Sequence, residues 1–258
     1  MKYLIISIFA AFCSLLPLQE LKAQSFIPDG EELTYEVSFM GIKLGSIKMV
    51  YEGKMDYNGD DVSKFKAYIQ SYDGIPFVDL YVIFESWLDP SLKFSNKFAS
   101  TTKEGGSWIY EQILFDYPNK KLEIKEWKDK ELVKTTNIKT GRKWSDGMGL
   151  FYIARKLVHS GKNVSIPTVI NRDTVHTSIY FVGDKEKVDI DAVSYPVRTV
   201  YFHGNANWTG VYGMTGKFEG WFSDDDARVP IKAKMKVYVG SVEIELKHWK
   251  RKDWGPPK

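Results

Sequence analysis

Apolar and polar residues alternate along most of this chain. Leu33, Tyr35, Val37 and Phe39 alternate with polar neighbours, the two-residue period of a strand with one buried face. The glycines of MGIKLG, Gly41 and Gly45, predict a turn into a second strand over 46–51. Further runs rich in β-branched and aromatic residues follow at 62–72, 78–88, 92–102, 107–116, 120–127 and 131–138. After residue 160 they recur at 162–170, 174–182, 186–191, 195–203, 211–222, 229–239 and 242–249. Short runs spaced this evenly, with breakers such as Asn58-Gly59 and Pro118-Asn119 between them, predict a sandwich or barrel.

The last hairpin can be read residue by residue. Ile231, Ala233, Met235, Val237 and Val239 alternate with Lys232, Lys234, Lys236 and Tyr238, and Gly240-Ser241 fits a two-residue type II′ loop. That register sets Val239 opposite Val242, Met235 opposite Leu246 and Lys236 opposite Glu245. It leaves Lys234 facing Lys247 and points His248 inward beside Ala233.

One segment leaves the two-residue rhythm. Asp146 is placed to cap a helix through MGLFYIARKLVH to about His159, and Gly161 to end it. Leu150, Ile153, Ala154 and Leu157 form its apolar stripe, widened by Met148, Phe151 and Val158. Arg155, Lys156 and His159, with Tyr152 beside them, form a narrow polar strip. A helix apolar over most of its circumference is surrounded by protein. A dozen or more strands curl or split rather than stay flat. The pattern therefore predicts a mainly β fold: a strongly curved antiparallel sheet or incomplete β-barrel around one central α-helix. The alternative is a two-sheet β-sandwich with the helix at one end. No repeat, low-complexity tract or linker divides residues 24–258, so a single β-rich domain is expected.

The first residues follow a different grammar. Lys2 precedes an apolar run from Leu4 to Leu16, then Pro17, with Ala23 as a small residue for cleavage before Gln24. A charged start and an apolar run too short to span a bilayer read as a signal peptide over 1–23. Export to the periplasm is the expectation; lipidation at Cys13, giving an outer-membrane lipoprotein, is the alternative, as is a surface or secreted protein. Phe12 argues against lipidation, because such sites want small residues before the cysteine. Removing the leader removes the only Cys, so the mature chain holds no disulfide.

Charge and motifs narrow the function classes. The chain has 36 basic and 33 acidic residues, with the signs interspersed, and carries no footprint for nucleic acid. Its basic cluster is terminal, in KHWKRKDW. No second apolar segment offers a membrane span. His159, His176, His203 and His248 show no metal-ligand spacing, and neither a GxSxG elbow nor a phosphate-binding loop occurs. The expectation is a non-enzyme without metal or cofactor. Asp224, Asp225 and Asp226 read as a turn closed by an Arg228 ion pair, since calcium loops alternate their ligands with spacers.

Aromatic residues, 15% of the chain, are the remaining candidates. Tyr35, Phe39, Phe65, Trp87, Trp108 and Phe151 either line a pocket for an apolar ligand or fill a large core. In the strand from Gly216, Phe218, Gly220 and Phe222 share one face, so Trp221 on the other is the partner-facing aromatic. Trp208 and Tyr212, in the polar loop from Gly204 to Gly216, are further partner-facing candidates.

The order of motifs resembles an exported bacterial family of unknown function, domain-of-unknown-function family 3108. The residues that carry the likeness are GEELTYEVSFMGIKLGSIKMVYEG, WLDPSLKFSNKF, DGMGLFYIARKL with its arginine, SGKNVSIPTVI and GKFEGWFSDDDARVPIKAKMKVYVGSVEIEL. The chain departs from the family around HGNANWTGVYGMTG. The resemblance implies a shape similar to the periplasmic lipoprotein carriers of the LolA/LolB-like fold, and no transferable activity. Two functions follow as expectations. One is an envelope protein binding a lipid or lipoprotein acyl chain in the concavity of the sheet. The other is a scaffold binding envelope proteins or glycan through loops and sheet edges.

Overall fold

The computed structural model describes residues 26–75, 79–104, 106–209, 215–237 and 240–258. The expected leader, Cys13 and Tyr212 lie outside the described residues. Eight strands open the order: β1 (Glu32–Phe39), β2 (Ile42–Tyr57), β3 (Asp60–Ser71), β4 (Tyr81–Leu88), β5 (Ser95–Glu104), β6 (Ser107–Asp116), β7 (Lys121–Lys128) and β8 (Glu131–Lys139). The two-residue β9 (Ser145–Asp146) leads into helix α1 (Gly147–Leu157). Then come β10 (Asn163–Ile170), β11 (Asp173–Tyr180), β12 (Lys185–Val188), β13 (Val197–Ala206), β14 (Gly216–Ser223), β15 (Pro230–Lys236) and β16 (Ser241–Lys250).

All of these strands belong to one 16-stranded sheet, ordered β8-β7-β6-β5-β4-β3-β2-β1-β16-β15-β14-β13-β11-β10-β9, with β12 alongside β13. One continuous sheet excludes the two-sheet alternative. Pairing is antiparallel apart from β9 with β10. The sheet is strongly curved and not closed into a barrel. Eight strands separate β4 from β10 along it, yet α1 touches both. Four hairpins turn on two residues that both sit at positive φ, as type I′ geometry requires: Met40-Gly41, Asn58-Gly59, Asp129-Lys130 and Asn171-Arg172.

The helix lies inside the curve. Met148 and Tyr152, one turn apart, pack with Tyr35, Phe65 and Leu246 of the β1–β4 and β16 arm. Leu150, Ile153, Ala154 and Val158 pack with Ile166, Ile179, Val200 and Phe222 of the other arm. Beyond the helix start, Phe98, Ile113 and Leu122 meet Trp144 and Val169, sealing arm to arm. Asp146 caps the helix by accepting from Gly149 N (2.8 Å), as its position predicts.

The expected polar strip on the helix is divided: His159 is exposed and Lys156 half-buried, but Arg155 and Tyr152 are buried. Arg155 is 0% exposed and Tyr152 2%. The physical reason lies outside the helix. Glu31, just before β1, supplies the guanidinium with a carboxylate through Nη1–Oε1 (2.5 Å) and Nη2–Oε2 (2.9 Å), and Ala227 adds its carbonyl.

The last hairpin keeps its faces but shifts its register by four residues. Met235 lies opposite Val242 and Lys234 opposite Glu243, so β15 ends at Lys236, opposite Ser241, and the expected Gly240-Ser241 loop is not formed; Val239, expected opposite Val242, lies outside the described residues. The shift replaces the Lys234–Lys247 clash with Lys234–Glu243 (3.3 Å) and Lys232–Glu245 (3.1 Å). A bulge where β16 passes Thr34 and Tyr35 inserts Lys247 as an extra residue, which turns His248 outward. The acidic triplet does make a turn, with Asp225 accepting from Ser223 Oγ (2.7 Å) and Arg228 N (3.0 Å). The Arg228 guanidinium, however, donates to the Lys156 carbonyl (2.9 Å), not to an aspartate.

Candidate functional site: the uncovered concave face

The ladders place three rows of side chains on the inner face. One row runs Val82, Ile69, Ile47, Tyr35 and Leu246. The next runs Val37, Ile244, Ala233, Gly220 and Phe202, and the third Phe39, Val242, Met235, Phe218 and Gly204. Residues directly opposite one another on paired strands share a face, so each row crosses the arm on its inner side. Burial divides this surface. Beside α1, Tyr35, Phe65 and Tyr152 are closed off, with the Phe65 and Tyr152 rings stacked at 3.7 Å. Along the rest of the rows Val37, Val82 and Val242 are buried, while Phe39, Ile47, Phe202, Phe218, Ala233, Met235 and Ile244 are only half-buried.

Two glycines shape that floor. A Cβ on Gly220 would lie 2.5 Å from Phe202 Cε1. On Gly204 it would meet the tip of Phe218 and approach the Ser178 carbonyl to 2.5 Å. Lacking a Cβ, these glycines let both phenyl rings lie against the backbone, which flattens the surface. The rings continue toward the helix, with Phe202 4.9 Å from Phe222 and Phe222 6.5 Å from Phe151.

Polar groups concentrate at the seams. Asp146 is fully buried, accepting from Ser86 Oγ (2.5 Å) and Ser95 Oγ (2.6 Å), and burial pushes its carboxyl up. Ser95 N also reaches the Trp144 carbonyl (2.8 Å), tying β5 to the segment leading into β9. Farther along, Arg172 of the β10–β11 turn spans to Glu111 (3.3 Å) and Glu126 (2.7 Å), which face each other across β6 and β7. Burial raises the Glu111 carboxyl despite the guanidinium beside it.

The sequence-predicted aromatics divide among three environments. Phe39 and Phe151 are half-buried on the concave side. Tyr35 and Phe65 are core, and the Tyr35 hydroxyl donates to the Pro230 carbonyl (3.2 Å). Trp87 and Trp108 are corrected to the convex face, because each sits one residue out of phase with the inward positions. Trp87 lies opposite Lys64, whose ammonium sits 3.1 Å from its ring centre, and Trp108 is 46% exposed. The partner-facing assignments are corrected as well. Trp221 is 8% exposed, its indole held by Glu186 of β12 (2.6 Å), and Trp208 turns inward to donate to Thr177 Oγ1 (2.9 Å). Sequence reasoning missed Phe202, Met235 and the two floor glycines as a set. The available signal was a glycine on a phenylalanine face, visible at Phe218, Gly220 and Phe222.

Among the described residues no group of His, Cys, Asp and Glu converges to hold a metal ion, and no helix is long and apolar enough to cross a membrane. No curated protein matches the sequence. In shape the chain is similar to a β-barrel-like protein of domain-of-unknown-function family DUF1849 from Brucella abortus. The TM-score is 0.57 at 11% identity, covering 87% of this chain and 98% of that one. At that identity the likeness extends to the fold alone. The model of a family described as protein of unknown function, DUF3108, matches residues 34–247, and the chain belongs to that family.

Proposed function

We propose that this protein is a non-enzymatic, exported binding protein of the cell envelope that holds an apolar or amphipathic ligand, such as an acyl chain, on the uncovered concave face. The observation that carries the reading is the contrast in burial along the inner rows. Beside α1, Tyr35 and Leu246 are closed off, whereas Phe39, Phe202, Phe218, Met235 and Ile244 on the same side stay half-buried around the buried Val37 and Val242. Keeping such surface in water is unfavourable by about 25 cal/mol per Å², and an apolar ligand removes that cost. The flattened floor over Gly204 and Gly220 suits an extended chain. The leader-like first residues support export. The scaffolding alternative loses aromatic support, since Trp208 turns inward and Trp221 is covered on the convex face by Glu186 of β12.

The test uses a dansylated fatty acid and the purified mature chain. Saturable binding with blue-shifted emission is expected, together with lipid in the organic extract by mass spectrometry. Ala233→Trp fills the middle row and is expected to weaken binding at least about tenfold, the loss of roughly 1.4 kcal/mol. Equal probe binding by this variant, or none by the wild type, would overturn the reading.

A further inference from the structure

The turns closing the β2–β3, β4–β5 and β6–β7 hairpins converge on a cavity of about 810 Å³, apart from the concave floor. Two aromatic rings in its wall, Phe94 and Tyr117, meet edge to face at 5.4 Å. Lys143 places its ammonium against both, 4.0 Å from the Phe94 centroid and 3.7 Å from that of Tyr117. A cation held this way is attracted by the electron-rich ring faces. The two rings are anchored. Tyr117 donates its hydroxyl to the Ser95 carbonyl (2.6 Å), and Phe94 N donates to Asp89 (2.9 Å). Lys143 is not anchored: its residue is exposed, and among the described residues no carboxylate pairs with its ammonium.

The rest of the lining sets the charge. Asp60, Asp61, Asp89 and Asp116 are among the lining residues, against the single lysine Lys143. Asp89 is occupied by the backbone of its own turn, and Asp116 by Asn119 with Lys121 nearby. Asp60 and Asp61 are exposed at the rim and make no ion pair among the described residues. The cavity thus combines a rigid aromatic pair that already receives a primary ammonium, a weakly held resident cation and an excess of negative charge. Anions are disfavoured by that charge.

We propose that this cup binds an organic ammonium, an alkylamine or diamine, whose charged group displaces Lys143 from between Phe94 and Tyr117 while a second amine reaches one carboxylate of the Asp60–Asp61 rim. Binding is non-covalent, and Lys143 acts as an internal competitor. This site is independent of the acyl-chain reading.

The full chain is titrated by calorimetry with butanediamine, butylamine and butanol at matched ionic strength. Lys143→Gln empties the aromatic pair and is expected to tighten diamine binding about tenfold. Phe94→Leu, in a chain whose circular dichroism is unchanged, is expected to weaken both amines about tenfold. Asp60→Asn with Asp61→Asn is expected to weaken the diamine and spare butylamine. Butanol binding as tightly as butylamine would overturn the proposal. So would a folded K143Q chain with no affinity for the diamine, or amine binding indifferent to F94L.

Discussion

Arg155 and Glu31, 124 residues apart in sequence, face each other in the interior through two parallel hydrogen bonds. The pair joins α1 to the segment entering β1, and Arg251, beyond the end of β16, adds a second guanidinium to the same carboxylate (2.5 Å). Phe26 lies against the arrangement, its ring 5.8 Å from the Arg155 guanidinium. One carboxylate therefore orients the helix and fastens both ends of the described chain to it.

Removing that carboxylate leaves two guanidiniums without a counter-charge, one of them wholly buried. Glu31→Gln is expected to cost about 3–5 kcal/mol of stability, as when a buried ion pair is broken from one side. Arg155→Met is expected to cost less, because Glu31 keeps Arg251. The double variant should be more stable than E31Q alone. Urea unfolding followed by tryptophan fluorescence measures all three, and a mild E31Q with a severe R155M would reverse the argument.

The floor glycines give a prediction that separates side-chain from backbone obstruction. The close neighbour of a Cβ on Gly220 is the Phe202 ring, whereas on Gly204 the Cβ meets both Phe218 and the Ser178 carbonyl. Gly220→Ala and Gly204→Ala are each expected to destabilise by about 1–3 kcal/mol through overpacking. Adding Phe202→Leu should recover much of the G220A loss. Phe218→Leu should fail to rescue G204A, since a backbone carbonyl cannot step aside. Thermal melts of the singles and doubles decide it.

Much of the architecture was legible because it depends on local period and count. Alternation marked the strands, Asp146 marked the helix start, and the number of strands required curvature around an apolar helix. Other features depend on partners that a local pattern cannot see. Arg155 reads as a solvent-facing strip until Glu31 is placed beside it. Trp87 and Trp108 look like cavity residues until the register puts them out of phase with Ser86 and Leu88. Asn58-Gly59 announces its turn, but Lys130 and Arg172 at positive φ do not, since neither residue type favours that conformation. The concave floor was hidden for a related reason: its glycines matter only through the phenyl rings they admit.

The buried Glu111 carboxyl predicts a pH dependence. Burial raises the Glu111 carboxyl above its ordinary range, and the nearby Glu126 charge adds to the rise. A carboxyl raised on folding favours the folded chain in acid, and that contribution is lost as pH climbs through its folded value. Wild type should therefore lose stability relative to Glu111→Gln as pH rises from about 4 toward neutrality, since an unperturbed Glu titrates near 4.3. Denaturant midpoints of both proteins across that range test the sign, and a difference growing the other way would mean that Arg172 outweighs burial.

The last hairpin allows its register to be read from a single charge reversal. In the observed pairing Lys234 lies opposite Glu243, with Nζ 3.3 Å from the carboxylate. In the tighter two-residue loop that the sequence suggests, Lys234 would face Lys247. The two registers give opposite signs for Lys234→Glu. Opposite Glu243 it creates a like-charge pair and destabilises; opposite Lys247 it would relieve one and stabilise. Both side chains are more than a third exposed, so screening keeps the effect below about 1 kcal/mol. The swap of Lys234→Glu with Glu243→Lys restores opposite charges only in the observed register. Recovery in a double-mutant cycle at low salt, fading as salt is added, is the expected result. A stabilising K234E would instead move the loop back to Gly240-Ser241.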